Sequence, residues 1–442
     1  MSFPRYSGYK ASGLPWVAHV PEHWVVPAVG YRYEVLLGKM LDEKKITGKH
    51  LAPYLRNIDV QWDRIDTENL PQMDFHGDDL ARYRLDFGDL LVCEGGDVGR
   101  AAVWRGQLNE CYYQKALHRL RPWDARRDNP RFFLYVLKVA SALGVFSVAS
   151  GKSTIAHLTA ESLRGQRFAF PPFEEQTAIV GFLDYETTKI DRLMSEQQLM
   201  IDLLKEKRQA VISEIVIRGL RRDAPMKPSG LEWLGDVPAH WTVIRVANIF
   251  YEVREDGQDG LPILSVSIHH GVSDKEYDED EMDRKVTRSD DKSKYKRVAP
   301  GDLVYNMMRA WQGAFGAVLV PGLVSPAYVV ARPKTPLNTT FMENLLRTPQ
   351  AIEQMRRYSR GVTDFRLRLY WDEFKDMRIA LPPLTEADGI CKRIDDMTRS
   401  FTGLALKAEH VIELLQERRT ALIAAAVTGR IDVRDTANRV AA

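Results

Sequence analysis

Apolar residues recur every seven positions along two stretches of this chain. In the first, Leu183, Ile190, Gln197, Leu204 and Val211 share one heptad position, with Thr187, Met194, Ile201, Arg208 and Ile215 four places on. In the second, Ile394, Phe401, Ala408, Leu415 and Leu422 alternate with Thr398, Ala405, Ile412, Arg419 and Ala426. A repeat of seven marks a helical stripe made to pack on another helix. A helix over about residues 174–218 would be ~65 Å long at 1.5 Å per residue, far beyond the usual globular length. Neither helix can bury its stripe alone, so the two are expected to pack on each other as a coiled-coil spacer. A two-fold relation between the copies would make that pair antiparallel.

Before each helix the pattern changes. Residues 26–170 and 243–381 mix short β-rich runs, such as DLLVCEGG, ALHRLRP, LPILSVSI and AVLVPGLVSPAYVVARP, with turn residues and brief helical stretches such as PRFFLYVLKVASAL. Each reads as a compact α/β globule. The chain is thus one long unit written twice. SGLPWVAHVPEHW (residues 12–24) and SGLEWLGDVPAHW (residues 229–241) agree at eight of thirteen positions, 217 residues apart. FGDLLV and PGDLVY (residues 87–92 and 300–305) follow, then the double prolines of FAFPPFEEQ and IALPPLTEA, then the helix ends LKEKRQAVISEIV and LQERRTALIAAAV. The fold class expected is α+β: two α/β domains joined by two long helices packed as an antiparallel coiled coil, with an internal pseudo-two-fold repeat. Its boundaries are an opening segment 1–26, a first domain 27–172, a central region with a long helix 173–242, a second domain 243–383 and a closing helical region 384–442.

A length of 442 residues suits two or three domains, each with its own core. No apolar run approaches the ~18 residues of a membrane helix, and residues 1–11 have no signal-peptide core, which points to a cytoplasmic protein with no membrane partner. Cys93, Cys111 and Cys391 are widely spaced and odd in number, so they are expected to be reduced and buried. A net charge of +2 does not advertise a polyanion partner, so any nucleic-acid surface must be local.

Several stretches imitate chemistry. His19, Glu22 and His23 spell the H-x-x-E-H metal signature, which needs both imidazoles on one helical face. Pro21 breaks such a helix, and the second copy replaces two of the three residues with Asp236 and Ala239. What recurs is an apolar segment whose Trp16, Val20, Pro21 and Trp24 are expected to pack against the helix ends. GKST at residues 151–154 ends like a phosphate-binding loop, but the required glycine five residues earlier is Phe146. Lys152 and Ser153 there fit a polar loop touching a DNA phosphate better. FPPF at residues 170–173 resembles a methyltransferase tetrapeptide, yet Phe170 cannot hydrogen-bond an amino group. With LPPL in the other copy it reads as a turn into a helix. The acidic run at residues 274–283 reads as a solvent- or partner-facing loop.

What remains is basic, polar and aromatic. Residues 345–371 carry Arg347, Arg356, Arg357, Arg360, Arg366 and Arg368 against Glu353 and Asp364, interleaved with Tyr358, Phe365, Tyr370 and Trp371. Arg360, Thr363, Asp364 and Arg366 flank a glycine turn, a set suited to base edges and phosphates. Asn306, Arg309 and Gln312 in NMMRAWQGAFG are of the same kind. Their first-copy counterpart, CEGGDVGRAAVW, offers Glu94, Asp97 and Arg100, while Gln114 and Lys115 sit at a nearby turn. Arg56 and Asn57 in LRNIDVQW correspond in the second copy to LSVSIHHG, with Ser267, His269 and His270, so the two domains should read different sequences.

The paired L-x-W-x-x-x-V-P-x-H-W entries, the G-D-L strands, the N-M-M-R-A-W-Q-G and V-S-P-A-Y elements, the two P-P turns and the helix end AVTGRI together resemble the specificity subunit of type I restriction-modification enzymes. The resemblance covers essentially the whole chain. It implies a non-catalytic subunit that reads a split, non-palindromic double-stranded DNA target, one half per domain. It also implies docking of two methyltransferase subunits and two restriction-translocase subunits. The chain itself would carry no cofactor, with S-adenosylmethionine, ATP and magnesium held by those partners. The alternatives from the residues alone are a coiled-coil scaffold without DNA, or an autonomous metal- or nucleotide-dependent enzyme.

Overall fold

A computed structural model describes residues 3–41, 47–148, 157–268, 271–273, 292–361 and 366–435. The two heptad stretches form single helices, Phe173–Arg218 and Leu384–Val427, of 46 and 44 residues. Each begins directly after its double proline, which suits the first turn of a helix; in the second copy the prolines also end the strand Arg378–Leu381. Glu174, Glu175 and Glu386 stand in the first turns, where the amide dipoles favour a carboxylate. Gly219 and Gly429 lie just past the two ends with φ of 74° and 72°, the left-handed cap that glycine adopts without strain. All twenty heptad residues named above are buried or half-buried, whereas most of their neighbours face water. The stripes read from the sequence are therefore the faces that pack.

The chain forms two compact units, Met1–Gln197 with His410–Ala442, and Gln198–Glu409. Each takes in one α/β domain, its entry segment and one end of each long helix. In the first unit Ile179 and Leu183 share a core with Leu422, Ile423 and Ala426, and Arg419 meets Asp191 at 3.0 Å. In the second, Val216 and Ile217 from the end of the first helix are buried with Ile390 and Ile394 from the start of the second. The start of one helix lies with the end of the other in each unit, which is antiparallel pairing.

Each domain is built on a four-stranded antiparallel sheet of the same topology. In the first, β1 (Tyr33–Leu37), β2 (Leu90–Cys93), β3 (Ala101–Val103) and β4 (Leu117–Pro122) run in the order β1-β4-β2-β3. In the second, β5 (Phe250–Val253), β6 (Leu303–Asn306), β7 (Phe315–Ala317) and β8 (Tyr328–Pro333) run β5-β8-β6-β7. Register follows suit: Leu90 pairs with Leu120 and Val103, and Leu303 with Ala331 and Ala317. The central strands β2 and β6 are buried along their whole length, since the helix Pro130–Ala142 packs over the first sheet and Thr339–Leu346 over the second.

The Gly-Asp-Leu repeat now has a physical reason. Gly88 and Gly301 take φ of 92° and 94° at the turn into β2 and β6. Asp89 and Asp302, each 1% exposed, accept a backbone amide at that turn, from Asp86 (2.7 Å) and Ala299 (2.8 Å). Each also pairs with an arginine of the neighbouring strand, Arg121 (2.7 Å) or Arg332 (2.8 Å). A buried carboxylate is tolerable only with such partners, so the aspartate and arginine are retained together in both copies.

The entry segments are hairpins, Tyr9–Leu14 with Val17–Pro21 and Met226–Pro228 with Asp236–Pro238. His19 therefore lies exposed on a strand and Glu22 is exposed beyond it, not on the helical face that the metal signature requires. His23 Nε2 sits 2.7 Å from Glu175 in the first turn of the long helix, and His240 Nε2 sits 2.6 Å from Glu386. Trp24 is fully buried and donates its indole N–H to Glu175 (2.8 Å), which also accepts from the Tyr6 hydroxyl (2.6 Å). The second copy lacks this contact, and the buried Trp241 indole N–H has no hydrogen-bond partner among the described residues. All three cysteines are buried and unpaired. Burial pushes the Cys111 and Cys391 thiols up to about 12 and raises Cys93, so none is a thiolate at neutral pH.

Trp24→Ala removes this ring from a closed core and leaves Glu175 short of a donor. It is expected to destabilise the first unit by ~3–5 kcal/mol in denaturant unfolding, whereas His19→Ala should stay within ~0.5 kcal/mol.

Candidate nucleic-acid interface

In the first domain three segments converge at the end of β2. Glu94 donates its amide to Ala116 O (3.0 Å) and accepts from the Leu158 amide (2.8 Å). Gln114 donates its amide to Leu55 O (3.1 Å). Asn57 donates its side-chain amide to Gly95 O (3.0 Å), and Arg100 donates to both the side-chain oxygen and the carbonyl of Asn57 (2.8 and 3.0 Å). The loop from Glu94 to Arg100 needs its glycines: Gly99 has φ of 83°, and a Cβ there would lie 2.5 Å from Phe146. The structure thus brings Arg56, Asn57, Arg100, Gln114 and Lys115 together. Arg56 is held on Asp59 (2.8 Å), and Asn57 and Arg100 are spent on each other. Lys115 is exposed and Gln114 half-buried.

The second domain repeats the plan with other residues. β6 ends at Asn306, which is 8% exposed; its side-chain oxygen accepts the Met308 amide (3.0 Å), and its carbonyl accepts the Arg309 amide (3.0 Å). Gly313, with φ of 89°, turns the chain back, and a Cβ there would lie 3.1 Å from Ile352. Arg309 is half-buried and Gln312 exposed on this turn. Leu369 donates to Met307 O (2.9 Å), and Arg360 and Arg368 exchange backbone hydrogen bonds (2.9 Å each). The turn after β6 therefore meets the segment carrying Arg360 and Arg366, both exposed. Arg360 also pairs with Glu373 at 2.5 Å. Lys152, Ser153, His269, Thr363 and Asp364, with the GKST stretch and the acidic run, lie outside the described residues.

Beside Arg360 is a cavity of about 380 Å³ lined by Arg254, Lys296, Met307, Tyr370, Trp371 and Glu373, among others. Burial lowers the Lys296 ammonium below the usual lysine range. Arg254, just past β5, and Lys296, on the strand Lys296–Val298, are distant in sequence and follow no motif. In the first domain the exposed Ile58 (64%), the half-buried Trp62, whose indole donates to Asp97 (3.1 Å), and His157, 3.5 Å from where a Gly95 Cβ would stand, join the surface. No sequence signal marked them. Among the described residues no group of three or more His, Cys, Asp or Glu side chains is arranged to hold a metal ion, and no helix is long and apolar enough to cross a membrane.

Residues 64–200 match a family described as the type I restriction modification DNA specificity domain. The chain is 24% identical over 240 residues to a putative type I restriction enzyme MjaX specificity subunit from Methanocaldococcus jannaschii, covering 53% of this chain and 54% of that protein. It thus spans about half the length of that relative. It is 23% identical over 367 residues to the type I restriction enzyme EcoBI specificity subunit of Escherichia coli, covering 78% of this chain and 73% of that one. A solved chain from work on complex assembly and conformational transition of the type I R-M system superposes with a TM-score of 0.64 at 12% identity, over 93% of this chain and 99% of that one. The HsdS subunit from Thermoanaerobacter tengcongensis gives 0.54 at 15%, over 93% and 98%. At these identities the structural likeness is one of fold. Residues 64–200 thus resemble the type I restriction modification DNA specificity domain, and the chain is similar over 53% and 78% of its length to two specificity subunits of type I restriction enzymes.

Proposed function

We propose that this chain is the DNA sequence-reading subunit of a type I restriction-modification enzyme, recognising a bipartite, non-palindromic duplex target and scaffolding the subunits that carry the chemistry. One observation carries this reading above the others. The same sheet occurs twice, and each copy presents a glycine-turned polar loop at the same place, after β2 and after β6, built from different residues. A shared frame with different loops is what reading two unlike half-sites requires.

Within this reading the residues take two roles. Lys115, Gln114, Gln312, Arg360 and Arg366 would reach DNA. Gln312 suits the bidentate edge of adenine, and the arginines suit guanine or phosphate. Arg56, Asn57, Arg100 and Asn306 would act by shaping the loops, since each has a side-chain group engaged within the domain. Arg309 stands at the loop's base. Lys152, Ser153, His269, Thr363 and Asp364 are proposed as further contacts on sequence grounds alone.

The chain would have no cofactor of its own. Two methyltransferase subunits would bring S-adenosylmethionine, and two restriction-translocase subunits would bring ATP and magnesium. A small net charge fits a reader whose partners supply part of the phosphate contact.

The chain alone is expected to transfer no methyl group to DNA and to support adenine methylation once a methyltransferase subunit is added; methylation by the lone chain would refute the reading. Mapping methylated adenines in a host carrying both should return one motif of two short half-sites with a fixed gap. Gln312→Ala and Arg360→Ala should each weaken binding to that duplex by ~1–3 kcal/mol and relax the sequence of one half-site only, read by competition with single-base variants. Uniform weakening across all sequences would reassign these residues to phosphate contact.

A further inference from the structure

Arg254 and Arg360 line one cavity in the second domain and share an arrangement there. Arg360 Nη2 lies 2.5 Å from Glu373 Oε1, and Arg254 Nη2 donates to Glu252 Oε2 at 3.0 Å. The arginine side chains are 76% and 75% exposed, whereas their glutamates are only 11% and 16% exposed. Each carboxylate is fixed by its element. Glu252 lies within β5, in register with Ala331 of β8, and Glu373 lies in the short helix Trp371–Phe374, whose Phe374 is fully buried. The second Glu373 carboxylate oxygen is buried with no hydrogen-bond partner among the described residues, so that carboxylate is committed to Arg360. Arg357 shows the ordinary surface case. It lies 3.7 Å from Glu232 and Glu353, whose side chains are 91% and 58% exposed.

An arginine held by a buried carboxylate differs from a free one in two ways. Its guanidinium is aimed beforehand, so it has less rotamer freedom to lose when it meets a ligand. Its charge is also compensated close by, so it draws less on the phosphate backbone, whose attraction is a matter of charge and not of sequence. A terminal guanidinium nitrogen carries two protons, and giving one to the glutamate leaves the fork able to donate to O6 and N7 of guanine. Arg254 follows β5, and Arg360 belongs to the segment that meets the turn after β6. Two forks fixed by separate elements thus stand at one cavity, and the glutamate behind each offsets the repulsion between them.

We propose that Arg254 and Arg360 together read guanine edges in the half-site of the second domain, and that Glu252 and Glu373 are positioning residues that aim them and shield their charge from phosphate. This rests on reading the chain as a DNA sequence reader, and it adds Arg254 and two acidic side chains to its specificity.

The test uses the full chain assembled with its methyltransferase subunit. Binding is followed by fluorescence anisotropy with the methylation-mapped duplex, with copies in which one guanine is replaced, and with an unrelated duplex, over a potassium chloride series. Glu252→Gln and Glu373→Gln should each tighten binding to the unrelated duplex, steepen the fall of log K with log salt by about one, and cut the preference for the mapped duplex by about tenfold. Glu373→Asp keeps the charge and should keep the wild-type salt slope. Arg254→Lys and Arg360→Lys should each weaken binding to the mapped duplex by about tenfold at an unchanged slope, a loss that vanishes on the duplex lacking the guanine concerned. Unfolding midpoints check that each variant folds; should Glu373→Gln fail to fold, Glu252→Gln carries the test. Wild-type slope and preference in the glutamine variants would overturn the proposal while leaving the DNA-reading role standing. Equal loss on every duplex in both lysine variants would overturn the assignment to base edges. A wild-type assembly that binds the mapped and unrelated duplexes alike would overturn the functional reading itself.

Discussion

Two helices of more than forty residues, each with an apolar stripe running its whole length, impose the constraint on which everything else rests. A lone helix of that kind leaves its stripe in water, and burying such surface is the main favourable term in folding. The stripes are covered by antiparallel pairing inside each unit. The helices also require anchorage at their ends, where the backbone amides of the first turn lack partners. Glu175 and Glu386 stand there and take His23 and His240 from the entry hairpins. The recurrent histidine thus fastens each domain's entry to a helix start. A metal-like string of residues turns out to be half of that fastening.

The domains follow a second constraint, that a buried strand must have every polar group answered. The aspartate at the start of β2 and β6 answers a turn amide and an arginine of the next strand in both copies. With the frame secured by the same few residues twice, the loops after β2 and β6 are free to differ. One is glycine-rich and clamped by an arginine on an asparagine; the other folds on Asn306 and a left-handed glycine. Divergent loops on a repeated frame let one chain present two different polar surfaces.

Much of the fold was legible beforehand because it is periodic. Heptads announce helices by spacing alone, and all twenty heptad positions pack as read. The internal repeat could be followed through Gly-Asp-Leu and the double prolines because those residues serve the backbone directly, through left-handed turns and helix starts. The candidate surface was less legible. Arg56, Asn57, Arg100 and Asn306 have the residue types of base readers, and residue type cannot say whether a side chain is already engaged. Asn57 and Arg100 are 43 positions apart and engage each other. Arg254 and Lys296 reach the vicinity of Arg360 from separate segments, without periodicity to signal it.

The sequence by itself therefore determined the helices, their pairing face, the twofold repetition and the likeness to specificity subunits, because each is written as local spacing or as recurrence. Only the tertiary structure decided which polar side chains remain available and what the entry histidine touches. Those depend on contacts between residues tens to hundreds of positions apart. In a folded chain the availability of a donor or acceptor is fixed by the partner it has found, and the sequence names the donor without naming the partner.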